Sequence, residues 1–183
     1  MISYEENTNK FNFRVGGIIE SPDKKKILIH RLSNFDFWLL LGGRVEMLED
    51  TKKAILREIE EELGIKVTID RLVAITESFF DIKSSTYHEL AFNYLLQLPE
   101  DSELLQKEGE FAGIEGEKYR YMWIDKKDLS DITFKPDYII PILQNIPDKT
   151  THIIRDERKL FKYHKSHNEI LLCDFYILKR QCL

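Results

Sequence analysis

Cysteine is nearly missing from this sequence of 183 residues: Cys173 and Cys182 are the only two. Neither stands at metal-type spacing to a histidine, which excludes a disulfide scaffold and a thiolate zinc site and leaves two free thiols. Long apolar runs are missing too. No stretch approaches the roughly 18 uninterrupted apolar residues of a membrane helix, and the start, MISYEENTNKF, lacks the basic and then apolar run of a signal peptide. The expectation is a cytoplasmic, soluble protein with no membrane role. Positive charge is not in excess either: 27 Lys and Arg face 32 Asp and Glu, for a net charge of -5. Nonspecific duplex nucleic-acid binding therefore gets no support, and any phosphate must be held by local basic groups. Repeats and low-complexity tracts are absent. With 43% hydrophobic residues in this length, one domain with a sizeable core is the simplest organisation.

The most informative stretch is residues 43–65, GRVEMLEDTKKAILREIEEELGI. Asp50 or Thr51 can cap a helix there, Ile55, Ile59 and Leu63 recur at i, i+4 and i+8 as its buried stripe, and Gly64 ends it. Glu58, Glu61 and Glu62 then share one arc of about 100° beside that stripe. Like charges so placed cost an isolated helix about 0.2–0.5 kcal/mol per pair. A bound cation reverses the sign, and clustered carboxylates suit Mg2+, Mn2+ or Ca2+ rather than zinc. The competing reading is a solvated acidic helix face.

Around this helix the pattern is mostly β. Residues 13–20 and 26–32 read as two strands joined by a hairpin turn at Ser21-Pro22-Asp23. A short apolar run, 38–41, stops at Gly42-Gly43. Residues 66–80 and 86–98 read as antiparallel neighbours, 99–118 as a long polar loop rich in glutamate, 118–125 as a strand and 136–145 as a helix made doubtful by Pro141. From Thr150 the chain turns mildly basic, and 171–178 reads as a late strand or packing arm.

Gly43 is followed after five residues by Glu49 and after seven more by Arg57-Glu58, then Ile59, Glu60, Glu61-Glu62, Leu63, Gly64 and Ile65. This spacing resembles the Nudix box of the MutT-like hydrolases at every fixed position, and a chance match at one start is on the order of one in 10^8. The resemblance implies an α/β (α+β) Nudix fold, a mixed β-sheet sandwiched between α-helices. It implies a domain over 1–147 with 148–183 as a C-terminal extension, packing on that domain or on a partner subunit of a homodimer. It also implies a pyrophosphohydrolase that uses Mg2+ or Mn2+ to cleave a diphosphate linkage in a nucleoside diphosphate derivative. Carried over by position, Glu58, Glu61 and Glu62 are the metal ligands and catalytic carboxylates, the Gly43 carbonyl is a further metal contact, and Glu49 and Arg57 are a structural pair. Glu61 is the general base by analogy; Glu108, Glu110 and Glu115 are the distal alternatives. Leu41 stands where proline is frequent in the family and Leu48 where glycine is.

Arg44, Arg31 and Arg14 are candidate phosphate clamps, with solvated or ion-paired guanidinium as the plainer reading. Phe35, Phe37, Trp38, Phe79, Phe80 and Tyr87 could stack on a base, but core packing is the better expectation for most. His88 reads as structural. Two other functions fit less well: a regulatory nucleotide-sugar-binding domain, which has no need of three helical carboxylates, and an isoprenoid diphosphate isomerase, whose cysteine has no counterpart near the box.

Overall fold

β-branched and apolar residues recur where strands form, and the one long helix forms where apolar residues are spaced three and four apart. The computed structural model describes residues 1–158. In chain order the elements are β1 (Ser3–Glu6), β2 (Asn9–Ile19), β3 (Lys26–Leu32), α1 (Thr51–Leu63), β4 (Thr68–Ile82), β5 (Ser85–Gln97), β6 (Glu110–Gly113), β7 (Gly116–Asp125), α2 (Ile140–Gln144) and β8 (Thr151–Asp156). One sheet runs β1-β2-β5-β4-β8 and is mixed, because β2 is parallel to β5 and β4 to β8; the other, β3-β7-β6, is antiparallel.

The mixed sheet is covered on both faces, as the sequence led us to expect. Against one face lies α1, whose Ala54, Ile55, Ile59 and Leu63 join Val15 and Leu96 in one core cluster. Each fully buried Ile is worth about 1.5–3 kcal/mol, more than the intrinsic propensity of any helical residue, so docking is what holds α1. Ile18, on the opposite face, packs with Trp38, Phe134, Ile139 and Leu143 in a second cluster. That layer is thin: a 3-10 turn at Asp137–Ile139 runs into α2, where Pro141 falls in the first turn and no amide is wasted.

Several expectations are corrected. The Ser21 turn forms, with the Ser21 amide on the Lys26 carbonyl, but β2 and β3 do not continue as a hairpin ladder. After the single Glu20–Ile27 bridge they diverge into different sheets. Four residues near the start pair with β2 as β1, although SYEE carries no strand signal. The loop read at 99–118 contains a 3-10 turn at Glu103–Gln106 and the strand β6, which pairs with β7. Of the six aromatic residues expected mainly in the core, only Trp38 is buried, while Phe35 is exposed. Beyond residue 147, β8 adds to the mixed sheet beside β4; the strand read at 171–178 and both cysteines lie outside the described residues. Among the described residues no helix is long and apolar enough to cross a membrane.

Candidate active site

The glycine turn is held between the two sheets. Leu39 exchanges backbone hydrogen bonds with His30 of β3, and the Leu41 and Gly43 carbonyls accept the Gly17 and Val15 amides of β2 at 2.8 and 2.9 Å. Gly43's carbonyl, read as a metal contact, therefore has one lone pair already engaged in the sheet. Gly42 adopts φ +123°, and a Cβ there would stand 2.4 Å from the Val15 carbonyl oxygen. A Cβ on Gly43 would stand 2.3–2.4 Å from the Glu58 carboxyl atoms. The turn thus lies directly against α1. Leu48, in a position where the family often has glycine, has φ 66° and is fully exposed.

The start and end of α1 follow the sequence reading. Asp50 accepts the Lys52 and Lys53 amides at 3.1 and 3.0 Å, and Gly64 closes the helix at φ 70°. The three glutamates project from one side at graded depth. Glu62 is buried, its Oε2 accepting the Gly42 amide at 3.3 Å and its Oε1 lying 3.4 Å from His30 Nδ1. Glu58 is partly buried and Glu61 exposed; both accept Arg57 Nη1, at 3.0 and 3.1 Å. Arg57 also grips Glu49 with two parallel bonds of 2.8 and 2.9 Å and donates to the Arg44 carbonyl at 3.2 Å. One guanidinium ties the loop to two of the three carboxylates.

Burial pushes the Glu62 carboxyl well above the usual carboxylate range, and the charge of Glu58 adds to it. Burial raises Glu58 as well, against the opposing pull of Arg57. His30 is driven down to about 3 by burial and by the charge of Arg14. The spacing of His30 and Glu62 is that of an ion pair, yet both shifts favour neutral forms. Without a cation the contact is between a neutral imidazole and a carboxyl group. Among the described residues no three His, Cys, Asp or Glu side chains already converge as a metal cage: Glu58 and Glu61 lean on Arg57 while Glu62 turns toward Gly42. The donor set fits a hard divalent ion all the same. It is made of carboxylate oxygens, two of them disfavoured as anions until something positive arrives.

The arginines separate by position. Arg14 is the cation whose field reaches Glu58, Glu62 and His30. Arg31 is engaged elsewhere, with Glu110 at 2.9 Å, the Phe35 carbonyl at 3.0 Å and the Trp38 ring. Arg44 meets Arg14 across a backbone bridge. Among the loop glutamates, Glu115 is the one whose charge is felt at Glu62 and Tyr121; Glu110 is taken by Arg31, and Glu108 is exposed. His88 bonds Glu77 at 3.0 Å and stacks on Phe79, in keeping with a structural role. The sequence reading missed His30, whose only signal was a histidine beside Arg31 at the end of the apolar run in KILIHRL.

Arg57→Ala is expected to lower stability by about 1–2 kcal/mol, measured as a fall in Tm, because a charge-assisted fork is lost from a partly buried site. Arg57 holds the Glu49 carboxyl below its ordinary 4.5. A depressed acid stabilises the fold above its unfolded pKa and ceases to do so as pH falls through the folded one. The gap between variant and wild type should therefore narrow below pH 4.5, the ordinary value; a gap constant with pH would refute the pairing as its source.

Residues 10–143 match the family model described as the NUDIX domain. Human diphosphoinositol polyphosphate phosphohydrolase 3-alpha is 35% identical over 97 residues, which is 52% of this chain and 59% of that protein, so less than two thirds of that relative is spanned. The 8-oxo-dGTP diphosphatase of Buchnera aphidicola is 27% identical over 153 residues, covering 82% of this chain and 96% of the relative. The solved structure of a MutT NUDIX hydrolase from Burkholderia pseudomallei shares the fold, with TM-score 0.53 and 24% identity over 75% of this chain and 98% of its own.

Proposed function

We propose that this chain, which belongs to the NUDIX family, hydrolyses a diphosphate linkage in a nucleoside diphosphate derivative with Mg2+ or Mn2+ as cofactor. The observation that carries this reading is the pair of mutually repelling carboxyls, buried Glu62 and partly buried Glu58, lying against the Gly42-Gly43 turn. A structural helix face has no use for them. Glu58, Glu61 and Glu62 would hold the ion, which when bound neutralises the substrate's charge and favours ionisation of an attacking water. Arg14, whose charge reaches Glu58 and Glu62, would orient the phosphates. In the reaction a water oxygen bonds to one phosphorus, the bridging P–O bond breaks, and the departing phosphate keeps the electron pair. Glu61, the exposed member of the three, receives the water's proton. The setting proposed is cytoplasmic, with 1–147 as the catalytic domain and 148–183 as an extension that packs on that domain or on a partner subunit of a homodimer.

The test is a panel of nucleoside triphosphates, ADP-ribose, nucleotide sugars, dinucleoside polyphosphates, capped RNA and a diphosphoinositol polyphosphate, incubated with Mg2+ or Mn2+. At least one should be cleaved, with loss of turnover in chelator and a fall of about 10^2–10^4 in Glu61→Gln. Turnover undiminished in chelator sinks the metal reading. Tight binding of a nucleotide sugar with no cleavage of any compound would replace the enzyme by the regulatory domain.

A further inference from the structure

We infer that His30 is a positioning residue for Glu62: in the metal-bound protein its imidazole donates to one carboxylate oxygen, so that the side chain is presented to a divalent cation in a single orientation. The inference rests on the proposed metal role of Glu62. His30 is 3% exposed and lies in the middle of β3, where its amide and carbonyl both pair with Leu39. Its ring is parallel to Tyr119, with centroids 5.7 Å apart and planes 9° from parallel, and tilted on Tyr121 at 5.8 Å. Both tyrosines stand on β7, in ladder register beside β3. Backbone and stacking together leave the imidazole little freedom to turn.

What it faces is Glu62. His30 Nδ1 has no hydrogen-bond partner in the present arrangement and lies 3.4 Å from Glu62 Oε1, a few tenths of an ångström beyond a completed bond. The Gly42 amide already holds the other oxygen, Oε2. The Leu40 backbone also lies within reach of the His30 ring, and Tyr121 directs its hydroxyl to the Glu62 backbone carbonyl at 3.4 Å and not to the carboxylate. One oxygen therefore has a backbone donor and the second has an aimed but unbonded imidazole. A core packed only for stability gains nothing from a buried polar atom left unpaired in this way. A ligating carboxylate gains much, because donors outside the metal's own ligands fix its rotamer and are worth about 10–100-fold in affinity. A shift of the Glu62 carboxylate by a few tenths of an ångström toward Nδ1, with Nδ1 carrying its hydrogen, completes the bond.

The experiment titrates Mn2+ alone into the metal-free full chain and follows the ion's paramagnetic resonance. Phe at the position keeps an aromatic ring for the stack and removes the donor; Asn removes the ring and returns an N–H near Nδ1. His30→Phe should bind Mn2+ about 10–100-fold more weakly, with Tm unchanged or higher and with kcat recovering at saturating Mn2+. His30→Asn should regain most of the affinity although it packs less well. If His30→Phe does not fold, His30→Leu supplies the same comparison. Affinity that follows packing, with Asn worse than Phe, overturns the inference, as does wild-type affinity in His30→Phe. Wild-type affinity in Glu62→Gln would instead remove the metal reading itself, so the two failures are told apart.

Discussion

Glu62→Gln should melt above the wild type in the absence of metal while losing turnover altogether. The residue is 6% exposed, and burial together with the nearby Glu58 pushes its carboxyl well above its ordinary value of 4.5. A raised acid favours the fold below its unfolded pKa, where both states are protonated, and progressively disfavours it as pH rises toward the folded pKa. The amide of glutamine keeps an oxygen for the Gly42 amide and removes the ionisation. Near pH 4.5 the two proteins should therefore melt together, and the variant's advantage should open as pH climbs above that value. An uncompensated buried polar group costs about 1–3 kcal/mol. For a chain of this size that corresponds to a rise of about 3–10 °C at pH 7.5 in EDTA. Added Mn2+ should reverse the order, because only the wild type gains from binding an ion in the folded state. Scanning calorimetry at two pH values decides the matter: a variant that melts at or below the wild type at pH 7.5 in EDTA would mean that Glu62 serves the fold and not a ligand.

The candidate carboxylate cluster was easier to read in the sequence than the fold around it. A stripe of like charges at Glu58, Glu61 and Glu62 is unfavourable in an isolated helix, so the cluster stands out in the sequence without any tertiary information. The cap at Asp50, the stop at Gly64 and the buried stripe of Ile55, Ile59 and Leu63 are likewise local, and all three form as read. What sequence alone left hidden depends on distant partners. β1 is a strand because the exposed edge of β2 accepts it, and nothing in SYEE favours extension more than a loop. β6 hides within a glutamate-rich segment for the same reason: its pairing with β7 is what makes it extended. The turn at Ser21 is correct locally and misleading globally, since a reversal of direction does not say whether the second strand returns to the same sheet. His30 joined the site only when β3 and α1 were packed together. A single histidine in an apolar strand carries no such information by itself.

Two neighbouring glycines should respond in opposite ways to the same methyl group. Gly42 stands at φ +123°, and its added Cβ would stand 2.4 Å from the Val15 carbonyl oxygen and 3.2 Å from the Gly16 Cα, both of them backbone. No rotamer change relieves that contact, and the left-handed conformation is itself costly for alanine. Gly42→Ala is expected to lose about 3 kcal/mol or more, a fall in Tm of at least 6 °C, because the strand pairing that carries the turn must shift. At Gly43 the nearest atoms are the carboxyl group of Glu58, the far end of a flexible side chain. It can swing away, so Gly43→Ala should melt within about 1–2 °C of the wild type, as surface-compatible substitutions do. Swinging away takes Glu58 from the position it shares with the turn, however, and a ligand displaced by even 1 Å can reduce rate about 10^2-fold. Melting curves and turnover measured on the pair separate the two roles: a large loss of Tm for Gly42→Ala, a large loss of activity at nearly intact Tm for Gly43→Ala. Should Gly43→Ala keep full metal-dependent turnover, Glu58 would not be a ligand, and the case for this site would fall back on Glu61 and Glu62 alone.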